Sequence, residues 1–295
     1  MNKYTNEGEK EMKKLTMLFL MLVATLMIGL TACGAGEGDA LPDVDETSGD
    51  EPAEDTNNET DEADTGQDAD DEDNTLVMAT SPDYPPFESL DVDGEFVGFD
   101  IELAKLIAEE LGMELEIRDM KFDGLIGALQ AERVDMVLSG MSATENRRQN
   151  VDFSLEYHSS GEMFVTRKDE PMTDLADLEG KTVGVQLGTI QEEGAKAIQE
   201  DYNFELKALD DAQMLVQELI TNRVDVIYLD KQVAKGFIEA QDLAGFDDPT
   251  DASPGMAVAF PKGSALVEDV NAALESIIDS GKLAELEAEF LSDEE

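Results

Sequence analysis

The sequence contains no tryptophan, one cysteine and one histidine in 295 residues. A single thiol, Cys33, rules out an intrachain disulfide, and a single imidazole, His158, rules out a multi-histidine metal site. Basic residues are also scarce. Twenty Lys and Arg stand against 70 Asp and Glu, a formal net charge of −50. Nucleic acid and anionic lipid headgroups are poor partners for such a chain, because both are held by clustered cations. No metal-ligand spacing and no obvious general acid or base emerges, so no cofactor, no metal and no catalysis are expected.

One long apolar run is present, residues 15–32, which follows Lys13 and Lys14 and ends at Cys33. A basic start and an apolar stretch form a signal-peptide layout. The run is near the ~18 residues at which a spanning helix begins, so hydropathy alone leaves a retained anchor open. The residues at its end, Leu30-Thr31-Ala32-Cys33, resemble the bacterial lipobox, in which the thiol takes a diacylglycerol before cleavage. Residues 1–32 are therefore expected to be a lipoprotein signal peptide. Cys33 would carry the lipid that holds the protein on the outer side of the cell membrane, extracellular or periplasmic. Residues 33–75 are mostly Asp, Glu, Thr, Asn, Gly and Ala. They bury too little to offset the entropy of ordering, which predicts an acidic, disordered tether.

Beyond it the texture changes to short β-like runs alternating with amphipathic stretches, the pattern of an α/β fold with largely parallel strands. Strands are predicted over 76–80, 114–118 and 134–138, with helices from Ile101 to Leu111 and over 122–131. Asp93-Gly94 reads as a hairpin turn. A second series has strands over 181–186, 204–208 and 224–229 and helices over 190–199 and 212–221. Leu129-Gln-Ala-Glu-Arg-Val-Asp135 and Leu219-Ile-Thr-Asn-Arg-Val-Asp225 repeat one helix-turn-strand solution, which implies two α/β units. An apolar strand over 256–260 and a helix interrupted by Gly281 complete the chain.

In open α/β sheets ligands bind beyond the carboxyl ends of the strands. After the 134–138 strand come Ser139, Gly140, Ser142, Thr144 and Arg147. There a capped helix start, close backbone approach and a guanidinium fork suit a carboxylate, although taken by itself a plain helix cap with a solvated arginine is the more ordinary reading. After the 181–186 strand, Gly188-Thr189-Ile190-Gln191 offers further free amides. Asp230, at the end of the 224–229 strand, suits an ammonium group or a helix N-cap. Tyr84, in a Tyr-Pro-Pro-Phe turn, and Phe122 could bracket a side chain.

Taken together these residues resemble the type 3 extracellular solute-binding proteins, the polar amino-acid receptors of ABC importers. The likeness runs from about 76 to 290. Its motifs are Tyr84-Pro-Pro-Phe-Glu88, Val97-Gly-Phe-Asp-Ile101, Phe122-Asp-Gly-Leu-Ile126, Ser139-Gly-Met-Ser-Ala-Thr144, Val151-Asp-Phe-Ser154 and Gly184-Val-Gln-Leu-Gly-Thr189. The resemblance implies a two-lobed, type II periplasmic-binding-protein fold, each lobe a mostly parallel sheet flanked by helices. Lobe one would comprise 76–160 plus 255–295, and lobe two 161–254.

By the same resemblance Arg147 would clamp the α-carboxylate of a free amino acid, helped by Ser142 and by amides near Thr189 and Ile190. Asp230 would bind its α-ammonium. Tyr84 and Phe122 would bracket the side chain, and Ser139, Gly140 and Gln191 would complete the shell. Implied partners are permease and ATPase subunits on separate chains, and a monomer is expected. Two departures stand out: Ile190 replaces a common hydroxyl residue, and Ser81 replaces the acid of many receptors for basic amino acids. The second departure counts against a lysine or arginine ligand unless Asp83 and Glu88 compensate. Two other classes use this fold, a ligand-sensing module of a signalling system and a dehydratase-like enzyme. The second needs an acid or base in the cleft, where His158 is more simply structural.

Overall fold

The computed structural model describes residues 74–250 and 253–292, so the predicted signal peptide, Cys33 and almost all of the predicted tether lie outside the described residues. Two five-stranded sheets organise this body. The first takes β1 (Thr75–Thr80), β5 (Glu114–Asp119), β6 (Met136–Val137), β7 (Asp152–His158) and β13 (Met256–Phe260), in the order β5-β1-β6-β13-β7. The second takes β8 (Glu162–Arg167), β9 (Thr182–Gln186), β10 (Glu205–Leu209), β11 (Val226–Asp230) and β12 (Leu243–Asp247), in the order β10-β9-β11-β8-β12. In each sheet one strand, β13 or β8, runs against its neighbours and the others share a direction. Each reversed strand directly follows a passage of the chain from one sheet to the other.

Burial on both faces explains the strand sequences. Leu76 and Met78 of β1 enter one apolar cluster and Ala79 a second on the opposite face, so β1 reads as an unbroken apolar run. On one face of the first sheet lie α1 (Phe99–Leu111) and α7 (Leu266–Asp279), burying Ile101, Ile107, Val270 and Leu274. On the other face lies α2 (Phe122–Gln130), burying Leu125 and Leu129. The second sheet is covered in the same way. Helices α5 (Ala212–Ile220) and α6 (Lys231–Gln241) join one face through Leu215, Leu219 and Val233, and α4 (Ile190–Ile198) joins the other through Ala195 and Ile198. A short α3 (Glu145–Arg148) precedes β7, and α8 (Lys282–Phe290) follows Gly281, whose φ of 82° breaks the helix as its position predicts.

The sequence repeat has a structural counterpart. Glu132 and Asn222 both take left-handed backbone conformations, with φ of 51° and 59°. Asp135 then accepts a 2.8 Å bond from Val77 N, and Asp225 a 2.8 Å bond from Thr182 N. Each aspartate fastens the start of the neighbouring parallel strand, so the repeated Arg-Val-Asp sets the register of β1 against β6 and of β9 against β11.

A small antiparallel sheet of β2 (Asp83–Tyr84), β3 (Glu88–Leu90) and β4 (Phe96–Val97) carries the predicted hairpin and leads into α1. Gly98 fixes this entry. Its φ is 129°, and a Cβ there would lie 2.3 Å from Phe87 O. The tight approach lets Phe99 N and Asp100 N bond Pro86 O and Phe87 O at 2.9 Å. Gly98→Ala is therefore expected to destabilise the body by about 2 kcal/mol, visible as a lower unfolding midpoint in urea, because alanine meets both a forbidden φ and a backbone clash. An unchanged midpoint would show that the turn has room to give.

Candidate functional site

Carboxyl ends of strands from both sheets converge on one narrow cavity. Its lining includes Tyr84, Phe122, Gly140, Ser142, Arg147, Thr189, Ile190, Gln191 and Asp230. All of these are candidates from the sequence. Ser139 stands one layer back: its Oγ accepts from Ser81 N at 3.1 Å and donates to Glu88 Oε1 at 2.8 Å, so its hydroxyl is spent inside the wall.

At one pole, Thr144 caps α3 by accepting from Arg147 N at 3.2 Å, which turns the arginine side chain inward. Arg147 is only 8% exposed. Its Nη1 donates to Ser142 O at 2.9 Å and its Nη2 to Gly188 O at 3.1 Å, so carbonyls beyond both sheets orient the fork. Its guanidinium carbon lies 5.4 Å from the centre of the Phe122 ring, a cation–π contact. Burial lowers the group to about 10, which leaves it charged at neutral pH. Thr189 donates to Gln186 O at 2.7 Å and caps α4, and Gly140, at φ 52°, brings its backbone to the wall beside Tyr84.

At the other pole, Asp230 both caps α6 and lines the cavity, so the two readings of this residue are compatible. One oxygen accepts from Gln232 N at 2.7 Å and Val233 N at 3.4 Å. Desolvation pushes its carboxyl up to about 6. Glu162 lies directly across the ladder from Asp230, hydrogen-bonded to Gln191 and Ser253. Burial and then the charge of Asp230 raise it to about 8. Tyr84 Oη accepts from Asp230 N at 3.1 Å and so joins the two sides.

Asp83, Glu88, Gln186 and Met256 also line the cavity, and the sequence reading did not place them in its ligand shell. Asp83 accepts from Ser81 Oγ at 2.9 Å, Gln186 Nε2 at 3.1 Å and Ala212 N at 2.8 Å, which ties β2 to the second sheet and to the start of α5. Desolvation raises its carboxyl above the usual range, and desolvation raises that of Glu88 well above it. The cavity thus offers one guanidinium against several buried carboxyls. A cation and a carboxylate at opposite poles suit a zwitterion, and the surplus acid suits a second positive charge.

Known proteins resemble this chain in sequence and in fold. The family model described as bacterial extracellular solute-binding proteins, family 3, matches residues 76–293. The arginine-binding extracellular protein ArtP of Bacillus subtilis (strain 168) is 43% identical over 222 residues, 74% of this chain and 87% of its own. A probable histidine-binding protein of Campylobacter jejuni is 40% identical over 190 residues, 64% of this chain and 73% of its own. Among solved structures, an ancestral arginine-binding protein bound to arginine superposes with a TM-score of 0.70 at 35% identity, covering 74% of this chain and 99% of that one.

Proposed function

The chain belongs to the bacterial extracellular solute-binding proteins, family 3, and on that premise we propose that its ligand is a free L-amino acid with a cationic side chain, of which L-arginine is the best candidate. It is an amino-acid-binding protein of an ABC transporter and not an enzyme. The observation that carries the proposal is that Arg147, on the helix between β6 and β7 of the first sheet, and Asp230, at the end of β11 in the second, line the same cavity. In this reading Arg147, Ser142 and the amides at Thr189 and Ile190 take the α-carboxylate, and Asp230 takes the α-ammonium. Gln191, Gly140 and Ser139 support the shell, and the rings of Tyr84 and Phe122 flank the stem. Ile190 serves through its amide, so the missing hydroxyl is no obstacle. Asp83 and Glu88 supply the negative charge that Ser81 lacks, and the arginine-binding relative at 43% identity supports that choice.

The finer assignments follow from the sequence. Lobe one is taken as 76–160 plus 255–295 and lobe two as 161–254, closing on the ligand so that both of its charged ends are desolvated and their pairings strengthened. The closed form would be read by separate permease and ATPase subunits. Cys33 would carry the lipid anchor, with 1–32 removed and 33–75 as the spacer.

The test is a thermal-shift screen of the soluble body against the common amino acids, since a ligand of the native state raises apparent stability. L-arginine is expected to give the largest shift. Asp230→Asn should weaken L-arginine by about 10- to 100-fold, by removing a buried charge partner, while leaving the unliganded protein as stable or more so, because asparagine can cap α6 without the desolvated charge. A screen in which no amino acid shifts the transition would remove the reading.

A further inference from the structure

At the cavity wall two carboxyls meet, Glu88 in the lining and Asp100 behind it. Glu88 of β3 and Asp100 of α1 are both fully buried and within hydrogen-bonding range of each other. Asp100 is the better-served anion: its Oδ2 accepts from Gly140 N at 2.7 Å and from Tyr157 Oη at 2.9 Å. Glu88 has only the Ser139 hydroxyl on Oε1. One oxygen of each, Glu88 Oε2 and Asp100 Oδ1, has no donor. Two buried, adjacent acceptors without donors are resolved by a single proton, and two like charges this close cannot both ionise at neutral pH.

The other groups around the pair do not supply a cation. Asp83 approaches from β2 and acts to keep the proton on, and Tyr84 beside it is an uncharged phenol. From β7 come Tyr157, which donates to Asp100, and His158, whose ring packs on Phe87 and Phe99 while its Nδ1 faces Glu287. Arg147 lines the same cavity, with its fork engaged by Ser142 and Gly188.

We propose that Glu88 decides between cationic and uncharged side chains, with Asp100 as the positioning residue that holds a proton on it. When a guanidinium or ammonium docks on Glu88, the O–H bond of Glu88 breaks, the proton passes to solvent, and the carboxylate pairs with the ligand. Capture of a cationic side chain thereby releases a proton that capture of an uncharged one does not. This rests on the cationic-amino-acid reading above, and it adds a pH term to specificity. The desolvated pair binds its proton more tightly than a free carboxyl. Raising the pH therefore favours cationic over uncharged ligands.

Calorimetric titrations of L-arginine and its uncharged analogue L-citrulline, each at pH 7 in buffers of different ionisation heat, count the protons released. Both ligands present the same α-ammonium and α-carboxylate to Asp230, Glu162 and Arg147, so the head-group contribution cancels in the difference. Arginine is expected to release about one proton more than citrulline, and its preference over citrulline to rise by up to about tenfold per pH unit, as linkage requires. In Asp100→Asn the extra proton should shrink while arginine still binds, because burial of Glu88 remains and only the neighbouring like charge is gone. Glu88→Gln should abolish it and shift preference toward citrulline, which keeps the idea testable if the Asp100 variant folds poorly. Equal proton counts for the two ligands in the unaltered protein would overturn this inference and leave the importer reading intact. Absence of arginine binding would instead remove both.

Discussion

Arg147→Ala is expected to weaken L-arginine by roughly a hundredfold to a few thousandfold, the range for truncating one member of a buried, hydrogen-bonded charge pair. The guanidinium is already desolvated and already oriented, by Ser142 O at 2.9 Å and Gly188 O at 3.1 Å, so an incoming carboxylate meets a fixed fork and little ordering entropy is left to lose. Arg147→Lys should fail almost as badly. An ammonium cannot make two parallel bonds, nor lie flat over the Phe122 ring. Effects on the unliganded protein should be small, because alanine removes a costly buried cation and at the same time strips two carbonyls of their donor. The two measurements that check this are calorimetric affinity and the unliganded melting temperature. Near-normal affinity in the alanine variant would show that the carboxylate clamp lies elsewhere.

Much of the fold is legible in the sequence where one chemical rule dominates. The alternation of α and β is clear because β1 and β11 are covered on both faces and so are continuous apolar runs. Helix limits fall within a residue or two of their predicted positions at α4, α5 and α2, where Thr189, Asp211 or a strand end sets the start. The strands β7, β8 and β12 are not readable in the same way. Asp152–His158 mixes buried Phe153 and Ser154 with exposed Leu155 and Glu156, and Glu162–Arg167 carries an acid and an arginine at its ends. Their polar residues make sense only once the partner sheet is known.

The same distinction divides the site. Thr189 and Asp230 announce themselves because each caps a helix at the end of a strand, and Arg147 because it lies in the short helix that Thr144 caps after β6. Glu162 stands at the beginning of a strand, where no local pattern marks it, and faces Asp230 only through antiparallel pairing of β8 with β11. Asp83 looks like a turn residue, and its role in joining β2 to Gln186 and Ala212 depends on contacts more than a hundred residues away. Ser139 is legible by its place after β6, but that its hydroxyl is given to Glu88, which lines the cavity, is visible only in the fold.

The buried acids also predict an unusual pH response. Asp230, Asp100 and Glu162 have folded-state values of about 6, about 7 and about 8, each raised chiefly by desolvation. A raised carboxyl binds more protons folded than unfolded between its two values, so its contribution to stability falls as pH rises through that window. The unliganded body should therefore be most stable near pH 5 and lose stability up to pH 8, by several kcal/mol, or about 10 °C in melting temperature for a domain of this size. Asp152, Asp177, Glu192 and Glu218 are shifted the other way, so their stabilisation is present above the ordinary carboxylate range and is lost only in stronger acid. Fixed salt is needed in the measurement, since a net charge of −50 makes self-repulsion sensitive to screening. L-arginine should oppose the trend, because it meets these carboxylates in the form that higher pH favours, and its thermal shift should grow from pH 5 to pH 8. Asp230→Asn combined with Glu162→Gln should flatten the slope of the unliganded protein in this window. A melting temperature that climbs from pH 5 to pH 8 without ligand would contradict the account, since it would mean that these carboxyls find better partners in the folded protein than in water.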